Sequence, residues 1–164
     1  MKRLILMRHG KSSWKNPIIS DFDRPLNSRG KNDIVKISEI LFEKSVKPEL
    51  IISSPAKRTK VTAEKVAETL SKKLHFEKDF YEAFYDEILE IIKDFDDHIQ
   101  DIMLVIHNPA ITDLRNHFLP DDYLENIPTS GVVAIEFEKA DSWKNLGQGK
   151  ELFYEYPKKD SEAS

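Results

Sequence analysis

Three short apolar runs constrain this chain more than any other feature: Leu4-Ile5-Leu6-Met7, Leu50-Ile51-Ile52 and Ile102-Met103-Leu104-Val105-Ile106. Each is continuous, where a strand with one wet face would alternate, so each reads as a strand buried on both faces of a mostly parallel sheet. Burial on both faces demands helices on both sides. Amphipathic stretches supply them. From Ser28 to Lys44, residues Ile34, Ile37, Ile40 and Leu41 recur at helical spacing, with Asn27 as the cap. From Pro55 to Leu74, residues Val61, Val66, Ala67 and Leu70 do the same. A third helix is expected from Asp86 to His98, and a fourth from Pro109 to just before Pro120. A further strand is expected over Phe76 to Phe80. Gly131 to Phe137 and Glu151 to Tyr156 alternate more like a hairpin or sheet edge, joined by a loop that carries Trp143. The expected fold class is α/β, a three-layer α/β/α sandwich with a mostly parallel central sheet. Residues 1–157 are expected to form one domain and the polar residues 158–164 a flexible tail.

Composition removes several functional classes. The 164 residues carry 25 Lys and Arg against 29 Asp and Glu, a formal charge of −4, with no basic excess or stripe for nucleic acid. The most basic spot is Lys57-Arg58-Thr59-Lys60. No apolar run approaches the roughly 18 residues needed to span a bilayer. The N-terminal apolar run stops at Arg8, too early for a secretory signal core, so a cytoplasmic location is the expectation. There are no cysteines, which excludes disulfides, thiolate nucleophiles and Cys-ligated metals.

The chemistry sits where each buried strand ends. The first run is followed by Arg8-His9-Gly10, the second by Ser53-Ser54-Pro55 with Arg58 beyond, and the third by His107-Asn108-Pro109. In an open α/β sheet, ligands bind outside the carboxyl ends of the strands. Ser54-Pro55 and Asn108-Pro109 also read as an N-cap followed by Pro at the first helical position. Helix N-termini favour anions. Two Arg and two His are therefore expected on one electropositive edge of an acidic protein, the profile of a phosphate site. A metal reading fails because neither His9 nor His107 has a third ligand at suitable spacing, and Arg8 would oppose a cation. There is no Gly-x-Ser-x-Gly elbow and no P-loop.

Met7-Arg8-His9-Gly10, Ser53-Ser54-Pro55-Ala56-Lys57-Arg58-Thr59, Tyr81-Glu82-Ala83 and His107-Asn108-Pro109 resemble the histidine phosphatase superfamily. The similarity is greatest to its short SixA-like phosphohistidine phosphatases. Lys11-Ser12-Ser13-Trp14 and Asp23-Arg24-Pro25-Leu26-Asn27-Ser28-Arg29-Gly30 add support. The resemblance implies the phosphoglycerate mutase-like fold, a transiently phosphorylated His9, phosphoryl oxygens held by Arg8, Arg58 and His107, and Glu82 as proton donor. It implies no metal and no cofactor. Ile106 stands where many relatives have Gly or Ser, and Asn27 where Thr is common. Asp86 and Glu87 are rivals to Glu82, and Gly10 is expected to let the backbone approach the phosphate.

Only 25 positions separate Glu82 from His107, enough for one helix and one strand but not for a lid. An open site suits a phosphorylated side chain on another protein, whereas small-ligand pockets enclose their ligand. A phosphohistidine protein is thus the expected substrate, with small phosphate monoesters as the alternative. An inert phosphoprotein-binding module is the alternative from a different class. No nucleic acid or membrane partner is expected.

Overall fold

The computed structural model describes residues 1–158; positions 159–164 of the expected tail lie outside the described residues. In chain order the elements are β1 (Lys2–Arg8), α1 (Ser28–Glu43), β2 (Leu50–Ser53), α2 (Lys57–Leu70) and β3 (Leu74–Phe76). They continue with α3 (Tyr85–Lys93), β4 (Asp101–Ile106), α4 (Ala110–Phe118), β5 (Val132–Phe137) and β6 (Lys150–Glu155). The six strands form one sheet in the order β3-β2-β4-β1-β5-β6. β1, β2, β3 and β4 are parallel, while β5 and β6 add the antiparallel side.

The continuous apolar runs follow from two half-cores. Leu4 and Leu6 of β1 face one cluster with Ile88 and Ile92 of α3 and Ile111, Leu114 and Phe118 of α4. Ile5 and Met7 face the other, with Ile37 and Leu41 of α1 and Ala63, Val66 and Leu70 of α2. Alternate residues of one strand thus enter opposite layers, and both sets must be apolar. Burying Ile37 or Leu41 completely stabilises by about 1.5–3 kcal/mol each.

Element ends show where side chains found other partners. Asn27 caps α1 by accepting from the Gly30 N–H at 2.7 Å, as expected. α2 ends at Leu70, short of Leu74, with Ser71 in the left-handed region. α3 stops at Lys93 because Asp96 and Asp97 bond elsewhere: Asp96 accepts from the His98 N–H, and Asp97 from the Trp143 N–H. The expected strand over Phe76 to Phe80 is instead β3 followed by a 3-10 turn, Lys78–Phe80. Trp143, expected in a plain loop, is 1% exposed and opens a 3-10 turn. No helix among the described residues is long and apolar enough to cross a membrane.

Candidate active site

Strand register builds the site. β1 and β4 run parallel with Arg8 paired to Ile106, so the next residues, His9 and His107, emerge side by side, their ring centroids 5.4 Å apart. β2 flanks β4 with Ser53 paired to Val105, which puts Ser54 beside His107. Their side chains share a hydrogen bond, Ser54 Oγ to His107 Nε2 at 2.7 Å. Arg58 lies in the first turn of α2 and is 7% exposed. The structure thus brings Arg8, His9, Arg58 and His107 to one edge of the sheet.

His9 is held in one orientation. Its Nδ1 lies 2.7 Å from the Gly10 carbonyl oxygen, which can only accept. Nδ1 therefore carries the proton and Nε2 keeps its lone pair. Burial pushes the imidazole down to about 3, and the nearby His107, Arg58 and Arg8 add to the shift. Burial, then Arg58, brings His107 to about 4, with Asp21 opposing. Both rings are neutral at pH 7 in the ligand-free protein.

Several buried side-chain nitrogens of this cluster have no partner among the described residues, Nε of Arg8, Arg58 and Arg24 and Nδ1 of His107, a state that Nε of Arg3 and of Arg115 outside the cluster share. The Ser130 hydroxyl, just behind His9, shares that state, while the Ser130 N–H donates to the His9 carbonyl at 2.9 Å. No three His, Cys, Asp or Glu side chains among the described residues come together to hold a metal ion.

The expected caps are corrected. Neither Ser54 nor Asn108 is an N-cap, and neither Pro55 nor Pro109 is the first helical residue: α2 begins after Ala56 and α4 after Pro109. The Ser54 hydroxyl is taken by His107, and the Asn108 side chain by Thr112 and Asn126. The Lys57 N–H at the start of α2 donates to the Phe22 carbonyl, not outward. Gly10 also has a packing reason to lack a side chain. A Cβ there would meet Ile34 at 2.8 Å and the Gly30 carbonyl at 3.1 Å, so its bareness serves packing against α1.

Glu82 stands outside the inner cluster. It is exposed, has φ +57°, and its carboxylate makes no hydrogen bond or ion pair among the described residues. Its neighbour Tyr81 packs edge-on against His107 at 5.7 Å, which places Glu82 at the rim. The rivals serve α3: Glu87 accepts from the Phe84 N–H, and Asp86 from the Glu87 N–H.

Two contributors, Asp21 and Arg24, were given no role from the sequence. Asp21 accepts from Arg58 NH2 at 3.1 Å and from the Tyr81 hydroxyl at 2.7 Å. Arg24 also pairs with Asp21 and stacks on Trp14 at 3.6 Å. These residues come from a loop with no strand exit to mark it. Arg24 and Trp14 lie in stretches noted only for their resemblance, Asp23-Arg24-Pro25-Leu26 and Lys11-Ser12-Ser13-Trp14.

The family model described as histidine phosphatase superfamily (branch 1) matches residues 4–101. The chain belongs to the histidine phosphatase superfamily. An uncharacterised chloroplastic protein of Arabidopsis thaliana is 33% identical over 111 residues, 68% of this chain and 50% of that protein. Phosphoglycerate mutase 1 of Saccharomyces cerevisiae is 35% identical over 65 residues, 38% of this chain and 26% of the enzyme. The chain thus spans half or less of these curated relatives. Among solved structures, a SixA protein from Agrobacterium tumefaciens, named as a phosphohistidine phosphatase, superposes with a TM-score of 0.80 at 25% identity. That match covers 95% of this chain and 98% of the other. A protein histidine phosphatase SixA complexed with tungstate has the same fold, with a TM-score of 0.80 at 18% identity over 94% of this chain and 97% of that one.

Proposed function

We propose that this chain is a metal-independent phosphatase with His9 as nucleophile, acting on phosphohistidine carried by a partner protein. One observation supports it above the rest. A buried, neutral His9 keeps its Nε2 lone pair free beside Arg8, Arg58 and Arg24, whose buried Nε donors have no partner among the described residues. Leaving such donors unpaired costs about 1–3 kcal/mol each, which a bound oxyanion would offset. Residues 1–157 are taken as the functional unit, since both half-cores pack on the one sheet that carries the site.

In the first step His9 Nε2 bonds to phosphorus as the bond from phosphorus to the substrate nitrogen breaks. Arg8, Arg58 and His107 receive the equatorial oxygens, where charge is spread. A protonated leaving imidazole departs as a neutral molecule. An alkoxide would need a proton as it leaves, and Glu82 at the rim is assigned to supply it. Water then attacks phosphorus, the bond to Nε2 breaks, and phosphate is released with His9 restored.

The short connection from Glu82 to His107 is filled by α3 and β4 alone, which leaves the site open to a side chain displayed on a protein. Trp14 and Phe84, both largely exposed, flank the loops around it. The test compares a phosphohistidine protein with an alkyl phosphate, using the parent and Glu82→Gln. The expected result is turnover of both by the parent, a loss of about 100-fold or more on the ester in the variant, and a much smaller loss on phosphohistidine. Equal losses would remove the proton-donor role from Glu82. Faster turnover of the ester by the parent would favour the monoesterase alternative. Anion binding with no turnover of either substrate would favour the binding module.

A further inference from the structure

Asp21 occupies the outer face of Arg58. The Asp21 carbonyl accepts from NH1 at 2.8 Å, and its Oδ2 accepts from NH2 at 3.1 Å. These two contacts cover the NH1/NH2 edge, one of the two edges through which a guanidinium grips an oxyanion with paired donors. The remaining edge carries Nε, which has no partner among the described residues. The carboxylate is held in place from two other directions. Tyr81 donates its hydroxyl to Oδ2 at 2.7 Å, and Arg24 NH2 lies 3.3 Å from Oδ1. Arg24 is itself nearly buried, bonded to the Ser12 hydroxyl and stacked on Trp14.

We propose that Asp21 sets the affinity of the anion site: its carboxylate competes with the phosphoryl group for Arg58 and weakens phosphate binding enough for release. The proposal rests on the phosphatase reading and adds a residue to it. Three guanidiniums, Arg8, Arg24 and Arg58, are gathered around two neutral imidazoles. Without an internal counter-charge such a site would hold product phosphate firmly. The field of Asp21 also reaches His107, where it opposes the downward pull of the arginines. The charge is firmly present: the Tyr81 and Arg58 contacts hold the carboxyl near 2, against the desolvation that works the other way. Its side chain is 48% exposed, so solvent screens part of its repulsion of an incoming dianion. The contacts that orient Arg58 do not depend on the carboxylate alone, because the Asp21 backbone carbonyl keeps NH1 in place.

The test is calorimetric titration of inorganic phosphate into the parent and into Asp21→Asn at one ionic strength, with melting curves for each. The expected result is about tenfold tighter phosphate binding by Asp21→Asn, equivalent to about 1.4 kcal/mol. Asp23→Asn is the control for general charge: Asp23 is exposed, bonds Ser20, and forms no hydrogen bond or ion pair with Arg58. It is expected to change phosphate affinity less than about twofold, as an exposed and screened charge should. Should Asp21→Asn fail to melt cooperatively, Asp21→Ser replaces it, with the same expected gain. Unchanged or weaker phosphate binding by the Asp21 variants overturns the proposal, and so does an equal gain from Asp23→Asn. A parent that binds no phosphate contradicts the phosphatase reading itself, and with it this inference.

Discussion

The two ends of β1 each hold a cation, Lys2 buried and Arg8 half-buried, and they treat it in different ways. At the start of the strand, Lys2 is 1% exposed and donates to the carbonyls of Asp97 and Ile99, at 2.5 and 3.0 Å. Its ammonium lies 5.4 Å from the Trp143 ring, whose Nε1–H also donates to the Ile99 carbonyl. Asp97 closes the cluster by accepting from the Trp143 N–H and the Ser142 hydroxyl. At the far end, Arg8 gives one N–H to the Ile127 carbonyl and leaves Nε unpartnered, as do Arg58 and Arg24. Buried polar groups are ordinarily paired, and a satisfied one stiffens the fold. Six residues along the same strand, three guanidinium Nε groups without a partner gather beside two histidines, whereas Arg3, next to Lys2, pairs with Asp101 and Glu136 although its Nε too has no partner.

Substitutions at the two ends should therefore fail differently. Trp143→Ala removes a fully buried ring and should cost about 3–5 kcal/mol of stability, while activity per folded molecule persists. Chemical denaturation and an activity assay normalised to the folded fraction would show this. Arg58→Ala should do the reverse, lowering turnover by about 100- to 1,000-fold with a small change in melting. Lys2→Met keeps the bulk but strips a donor from the Asp97 carbonyl, and should cost about 1–3 kcal/mol with turnover unchanged. If Lys2→Met reduced turnover as much as Arg58→Ala, the division between the two ends would collapse.

A further difference between the two ends is in pH. Ordinary imidazoles titrate near 6.5, but His9 and His107 are brought to about 3 and about 4 by burial first and neighbouring cations next. Below about pH 6.5 the unfolded chain takes up protons that the folded rings refuse, so stability falls as pH drops from 6.5 toward 4. Above 6.5 both rings are neutral in either state and contribute nothing to the slope. Each site adds at most about 1.4 kcal/mol per pH unit. Replacing His9 and His107 together with Gln should flatten melting temperature over that range. An unchanged slope would mean that other groups carry it.

Much of this was legible in the chain itself. β1, β2 and β4 announce themselves because strands covered on both faces must be apolar at every position. The same logic marks their exits, where Arg8-His9, Ser54 and His107 follow. α1 is readable because Asn27 caps it through a contact three residues away. What stayed hidden depends on long-range partners. Ser54 looks like a cap until strand register sets His107 beside it. Asp96 and Asp97 end α3 through contacts that include Trp143, 46 positions on from Asp97. Asp21 meets Arg58 across 37 positions and Tyr81 across 60. Glu82 was named from resemblance, and its left-handed backbone on the rim is a feature no periodicity reports.

The central claim is that His9 Nε2 receives the phosphoryl group, and trapping the phosphoenzyme tests it most directly. A labelled phosphohistidine protein is mixed with the parent and with His9→Ala, quenched within one turnover, and the label tested for stability in acid and in base. Because His9 is buried and bonds the Gly10 carbonyl, His9→Ala should cost about 1–3 kcal/mol of stability, and a melting curve checks that the variant remains a folded control. The expected result is an acid-labile, base-stable label on the parent, the behaviour of a phosphoramidate, and none on the variant. An acid-stable, base-labile label on a hydroxyl residue, or undiminished turnover by His9→Ala, would contradict the account.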